Sequence, residues 1–133
     1  MRPAIVILHA PAMETARHIQ AELAADIHAQ EGIAGADVHY TALAGHLRGL
    51  FLEGRPILAV MAAGAVIRIL APSLSDKRSE PAVLAISEDG RSIVPLLGGH
   101  RGANDMARRL AGALHGHAAV TTAGDTRLSL IHI

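Results

Sequence analysis

The chain has 133 residues, with twelve basic and twelve acidic side chains, nine histidines and no cysteine. This length suits one domain with a core of its own, and the balanced charge leaves no global field to attract a polyanion. One Tyr, one Phe and no Trp give no aromatic platform for stacked bases, and the lack of cysteine excludes disulfides and thiolate metal sites.

Ala4 to Leu8 is a short β-branched run that reads as a buried strand ending at His9. It follows the opening residues directly, with no signal peptide before it. Pro11 then opens a helix expected to reach about Gln30, with Ala12, Ala16, Ile19, Leu23 and Ile27 as its apolar stripe. Histidines 18, 28 and 46 are expected on solvated helix faces. Gly32 and Gly35 close the first helix, and Ala36 to Tyr40 is a second strand. Leu43 to Leu52 is a helix closed by Gly54, and Pro56 to Met61 a third, fully apolar strand. Ala63-Gly64-Ala65 leads into a helical run, Val66 to Leu70, stopped by Pro72. The longest apolar run, Ile57 to Ile67, ends at Arg68 and is too short to span a bilayer.

Ser73 to Glu80 is polar and charged, a surface loop. Ala82 to Ile86 and Ser92 to Leu96 flank Asp89-Gly90 and read as a β-hairpin. Gly98-Gly99-His100-Arg101-Gly102 then forms a glycine-rich turn into a helix whose apolar face is Ala103, Met106, Ala107, Leu110 and Leu114. Asn104 or Asp105 can cap it. Ala118 to Thr122 is the last strand, and Thr126 to Ile133 fits no pattern. Strands alternating with helices imply a three-layer α/β/α sandwich with a mostly parallel sheet and one hairpin. Its core should include Ile5, Ile7, Ile57, Leu58, Val60, Val83, Leu84, Ile93 and Val120.

In such a sheet, ligands bind outside the carboxyl ends of the strands. Small residues stand at three expected strand ends: Ala62-Ala63-Gly64, Gly98-Gly99-His100 and Thr122-Ala123-Gly124. Together with His9 they suggest one wide crevice lined by backbone N–H groups, with Arg68, Arg101 and Lys77 as cations. Free N–H groups at a helix start suit a carboxylate or phosphate. The plainer alternative is glycine used for packing and turn geometry alone. The nucleotide-binding glycine motifs, the metal-binding histidine spacings and the serine-hydrolase elbow are all missing from the sequence, so no metal site is expected.

The ordered set Gly64-Ala65-Val66-Ile67-Arg68, Pro72, Asp76-Lys77, Pro81-Ala82-Val83, Asp89-Gly90, Leu96-Leu97-Gly98-Gly99-His100-Arg101-Gly102-Ala103-Asn104 and Thr121-Thr122-Ala123-Gly124-Asp125 resembles the amino-terminal region of the CbiG family. These are cobalamin-biosynthesis proteins of the cobalt-precorrin-5A hydrolase type. Glu80 stands where the family has Asp, Gly99 where Ser is usual, and Gly124 where Thr is usual. With no signal peptide and no apolar run long enough to span a bilayer, the chain is expected to be cytoplasmic; residues 1–125 are expected to form the CbiG-like α/β domain and 126–133 a tail or the start of a linker. The resemblance implies a lactone on a corrin ring opened by water with release of acetaldehyde. On that reading His100 is the general base, with Asp125 orienting it or replacing it. The expected substrate-binding residues are Gly64, Arg68, Lys77, Gly98, Gly99, Arg101, Gly102, Asn104, Thr121 and Thr122.

The implied partners are a tetrapyrrole (precorrin) intermediate and other enzymes of the pathway, with homo-oligomers left open and no nucleic acid or membrane. No cofactor of its own is implied; cobalt would arrive with the substrate. Two alternatives stay open: a fragment of a bifunctional precorrin-3B C17-methyltransferase that binds substrate, and a module that only docks onto a partner enzyme.

Overall fold

The computed structural model describes residues 1–75, 79–99 and 102–121. Seven strands form one sheet among them: β1 (Ala4–Ile7), β2 (Asp26–Gln30), β3 (Val38–Tyr40), β4 (Ile57–Val60), β5 (Val83–Ile86), β6 (Ser92–Leu97) and β7 (His117–Ala118). Their spatial order is β3-β2-β1-β4-β5-β6-β7. The helices are α1 (Met13–Glu22), α2 (Leu43–Leu52), α3 (Ala63–Leu70) and α4 (Ala103–Leu114).

Alternation along the strands sorts the apolar residues onto the two faces of the sheet. Ile5, Ile7, Ile27, Leu58, Val60, Leu84, Ile86 and Ile93 pack against Ala16 and Ile19 of α1 and Ala107 and Leu110 of α4. On the other face Ala4, Val6, Ile57, Ala59 and Val83 pack against Leu47, Leu50 and Phe51 of α2 and Val66 and Leu70 of α3. The result is the expected three-layer sandwich. The expected core is buried except at Val120, which packs half-buried against it.

The first helix is shorter than its spacing suggests. It stops at Glu22, where Leu23 turns extended, and residues Asp26–Gln30 form β2, parallel to β1 with Ile5 beside Ile27. Ile19, Leu23 and Ile27 share one core, so a helical period ran on into a strand. Parallel pairing with β1 outweighed that local pattern. His28 therefore sits on β2, buried, and not on a solvated helix; His18 is exposed on α1 as expected. The turn into β3 is held by Asp37, whose carboxylate accepts the Ile27 N–H at 2.8 Å and the Gln20 amide at 2.9 Å. The Ile27 N–H, followed by the Gln20 amide, keeps that carboxyl below its usual range.

The hairpin forms as expected. β5 and β6 run antiparallel, Ile86 opposite Ile93 and Val83 opposite Leu97. Gly90 adopts φ +75° and its N–H donates to the Ser87 carbonyl at 2.9 Å. The hairpin loop is tied to α1, because the buried Thr15 hydroxyl donates to the Glu88 carbonyl. Thr15→Val keeps the shape and removes that bond. It is expected to cost about 0.5–1.5 kcal/mol, read as a lower urea midpoint at unchanged slope.

The last strand is shorter than expected. β7 pairs parallel to β6 only at His117 and Ala118, with Ala119 N–H donating to Ile93.

Candidate functional site

The direction of β6 decides where the candidate residues lie. β1 to β5 are all parallel, so their carboxyl ends share one edge of the sheet. β6 runs the opposite way, so its carboxyl end and Gly98 reach the edge where β4 and β5 begin. A Cβ on Gly98 would lie 2.5 Å from the Pro81 carbonyl oxygen, just before β5. The single crevice expected from the glycines is thus divided. Gly64 stands at one edge of the sheet; Gly98, Gly99 and Gly102 stand at the other.

At the carboxyl edge, chain order reverses between β1 and β4, the switch point where doubly wound sheets hold ligands. A groove of about 480 Å³ opens there. Leu8, Met61, Ala62, Ala63 and Ala65 supply apolar walls; His9, Ser87 and Glu88 supply polar groups. Its size falls in the ordinary range for small-molecule sites. Helix α3 starts at this edge at Ala63, with Ala62 as its N-cap and no side-chain cap bond. Of the residues expected at the crevice, His9, Ala62 and Ala63 line this groove. Ser87 and Glu88 are not among the expected crevice residues, because their place beside the groove depends on the hairpin folding back.

At the opposite edge, Gly98 adopts φ +76° and Gly102 φ +91°. Gly102, not Asn104 or Asp105, is the N-cap of α4, and no side chain caps it. The Ala103 N–H donates to the Gly98 carbonyl at 3.2 Å, folding the turn onto the helix start. Asn104 lies beside Gly99, its amide nitrogen 3.4 Å from where a Cβ would stand. Two shallow clefts of about 380 and 220 Å³ lie next to this turn, both lined by Gly54, Ser79, Glu80 and Pro81. Helix α3 must return the chain to this edge so that β5 can start parallel to β4, which carries the exposed Arg68 toward it. The chain leaves β7 in the same direction, toward exposed Thr121. Lys77, His100, Arg101, Thr122 and Asp125 lie outside the described residues. Among the described residues no group of three or more His, Asp or Glu is placed to hold a metal ion, and no helix is long and apolar enough to cross a membrane.

A sheet with helices on both faces, a switch point between β1 and β4 and a groove beside it defines a doubly wound α/β domain. The family model described as cobalamin synthesis G N-terminal matches residues 45–125, and the chain belongs to that family. It is 38% identical over 85 residues to a cobalt-precorrin-5A hydrolase of Priestia megaterium, covering 63% of this chain and 23% of that protein. It is 42% identical over 79 residues to a cobalt-precorrin-5A hydrolase of Salmonella typhimurium, covering 59% of this chain and 22% of that protein. The chain thus spans less than a quarter of the length of these curated relatives. A solved structure of a cobalamin biosynthesis protein G homolog from Sulfolobus solfataricus is similar with a TM-score of 0.63 and 26% identity, over 90% of this chain and 36% of that one.

Proposed function

We propose that this domain takes part in cobalamin biosynthesis by binding a precorrin, in the service of the lactone-opening reaction for which its relatives are named. The family match over residues 45–125 carries the reading. That stretch contains both the Gly98–Gly102 turn and Gly64. A precorrin is a broad ring fringed with carboxylates. Amides at a helix start, left without side-chain caps, suit such groups, and arginines add charge. On this reading the fringe meets Gly98, Gly99, Gly102 and Asn104, with Arg68, Lys77, Arg101, Thr121 and Thr122 around them. Both curated relatives carry the hydrolase name, which favours that setting over the precorrin-3B C17-methyltransferase fusion.

The switch-point groove supports a second reading, in which the ring lies against Leu8, Met61 and Ala62 near Gly64. One titration separates the two. A stable corrinoid carboxylic acid is added to the protein and followed by visible absorbance. Binding is expected, weakening as salt rises because charge pairs are screened. Arg101→Ala should weaken it by about 1–3 kcal/mol if the fringe lies at the glycine turn. Ala62→Leu, which fills the groove, should then leave it unchanged; the reverse pattern assigns the ring to the groove. No binding at any salt would overturn the proposal.

A further inference from the structure

We propose that His28, His46 and Tyr40 form a proton-sensitive latch that holds α2 and β3 against the end of β1 and opens on mild acidification. The three side chains come from β2, α2 and β3, and they meet on the α2 face of the sheet. His28 Nδ1 and His46 Nε2 are 2.8 Å apart. The Tyr40 ring stacks on His46, centroids 4.8 Å apart and planes 11° from parallel. The Tyr40 hydroxyl donates to the Ile7 carbonyl at 2.6 Å, where β1 ends. Leu8 and His9, which follow, line the switch-point groove. One chain of contacts therefore runs from α2 through β3 to the groove wall.

The contact between two rings needs one N–H and one bare nitrogen. His28 Nε2 is buried with no hydrogen-bond partner among the described residues. An orphaned N–H is rarer than an orphaned acceptor in folded proteins, so the proton is assigned to His28 Nδ1, which donates to His46 Nε2. In that state an added proton has two poor destinations. On His28 Nε2 it creates a buried cation with no acceptor. On His46 Nε2 it sets hydrogen against hydrogen and breaks the contact. Protonating both rings adds like-charge repulsion at close range.

The charged surroundings are sparse. Asp26, on β2 itself, and Asp37, in the turn before β3, favour a proton on His28; Arg55, after α2, opposes it. Glu53, at the end of α2, favours one on His46. From β1 the register neighbour is Val6, and from β3 it is Val38, neither of which titrates. Asp26 is itself paired with Arg2 at 3.0 Å. Burial, and after it the neighbouring His46, holds His28 below the ordinary histidine value. Burial does the same to His46, and pushes the Tyr40 hydroxyl up to about 12, so Tyr40 stays a donor throughout.

The sign follows from linkage. Both histidines bind protons less readily folded than unfolded, so the latch contributes fully above the unfolded value of 6.5 and is lost as pH falls below it toward the folded values. Amide hydrogen exchange on the whole chain, expressed as protection factors between about pH 7.5 and 5, tests this. In the parent, protection over 38–52 should fall tenfold or more across that range, while β4 and β5 amides stay protected. His28→Leu removes the orphaned nitrogen and the shared proton and should reduce that fall in protection over 38–52, leaving only the part that the burial of His46 supplies. His46→Phe keeps a ring against Tyr40 and, if the leucine variant does not fold, should likewise reduce the fall, leaving the part that the burial of His28 supplies. A parent with flat protection, an equal loss over all strands, or either folded variant keeping the parent's pH profile would overturn the latch.

Discussion

Gly98→Ala is expected to lose on the order of 2–5 kcal/mol of folding stability, from left-handed backbone strain and steric overlap together. Gly98 has φ +76°, a region L-residues with a Cβ enter at a cost. An added Cβ would lie 2.5 Å from the Pro81 oxygen and 2.7 Å from both the nitrogen and the Cα of Ala82. These are backbone atoms between α3 and β5, so relief requires moving the start of a central strand. Gly102→Ala is the internal control. Its φ is +91°, but among the described residues, its chain neighbours aside, nothing lies within 4 Å of its added Cβ, so the backbone strain is what remains, about 1–2 kcal/mol. Urea midpoints measure both. Equal losses in the two variants would mean that the approach to Pro81 relaxes freely.

The second large effect concerns His100, the general base that the family resemblance implies. His100→Ala is expected to lower turnover about 10²–10⁴-fold while ligand affinity stays nearly unchanged. A binding role predicts the opposite split, with affinity weakened by about 1–3 kcal/mol and turnover of bound substrate kept. The assay is acetaldehyde release from cobalt-precorrin-5A, with the carboxy-terminal region implied by the family resemblance supplied to parent and variant alike. A parent that releases none would leave a binding or docking module. Full turnover in the variant would pass the role to Asp125.

Much of this architecture was legible along the chain. β1, β4, β5 and β6 are runs of mainly apolar residues, half of them Val or Ile, and each strand expected there forms within a residue or two. α2 and α4 lie at the expected positions because their apolar residues repeat at helical spacing and glycines bound them. β2 was missed for a specific reason. Ile19, Leu23 and Ile27 satisfy a helical stripe, yet Leu23 is already extended. Local spacing could not tell a continued helix from a helix followed by a strand that feeds the same core. The same ambiguity hides the meeting of His28 with His46 and Tyr40, since the helical stripe carries His28 past Glu22, where the helix ends.

By itself, the sequence determined the layer architecture, eight of the nine core residues it singled out, and the family, because these depend on periodicity and on motifs in order. Where the glycines meet was decided only by the tertiary structure. Gly64 and Gly98 each follow a strand, and nothing local distinguishes them. A parallel β6 would have brought both to one crevice. The tight Ser87–Ser92 hairpin instead forces β6 antiparallel to β5, because so short a connection leaves no room for a crossover, and so sends Gly98 to the far edge beside Pro81. Strand direction is a property of the pairing partner and the connection length, and it divides the expected crevice into a switch-point groove and a glycine-rich helix start.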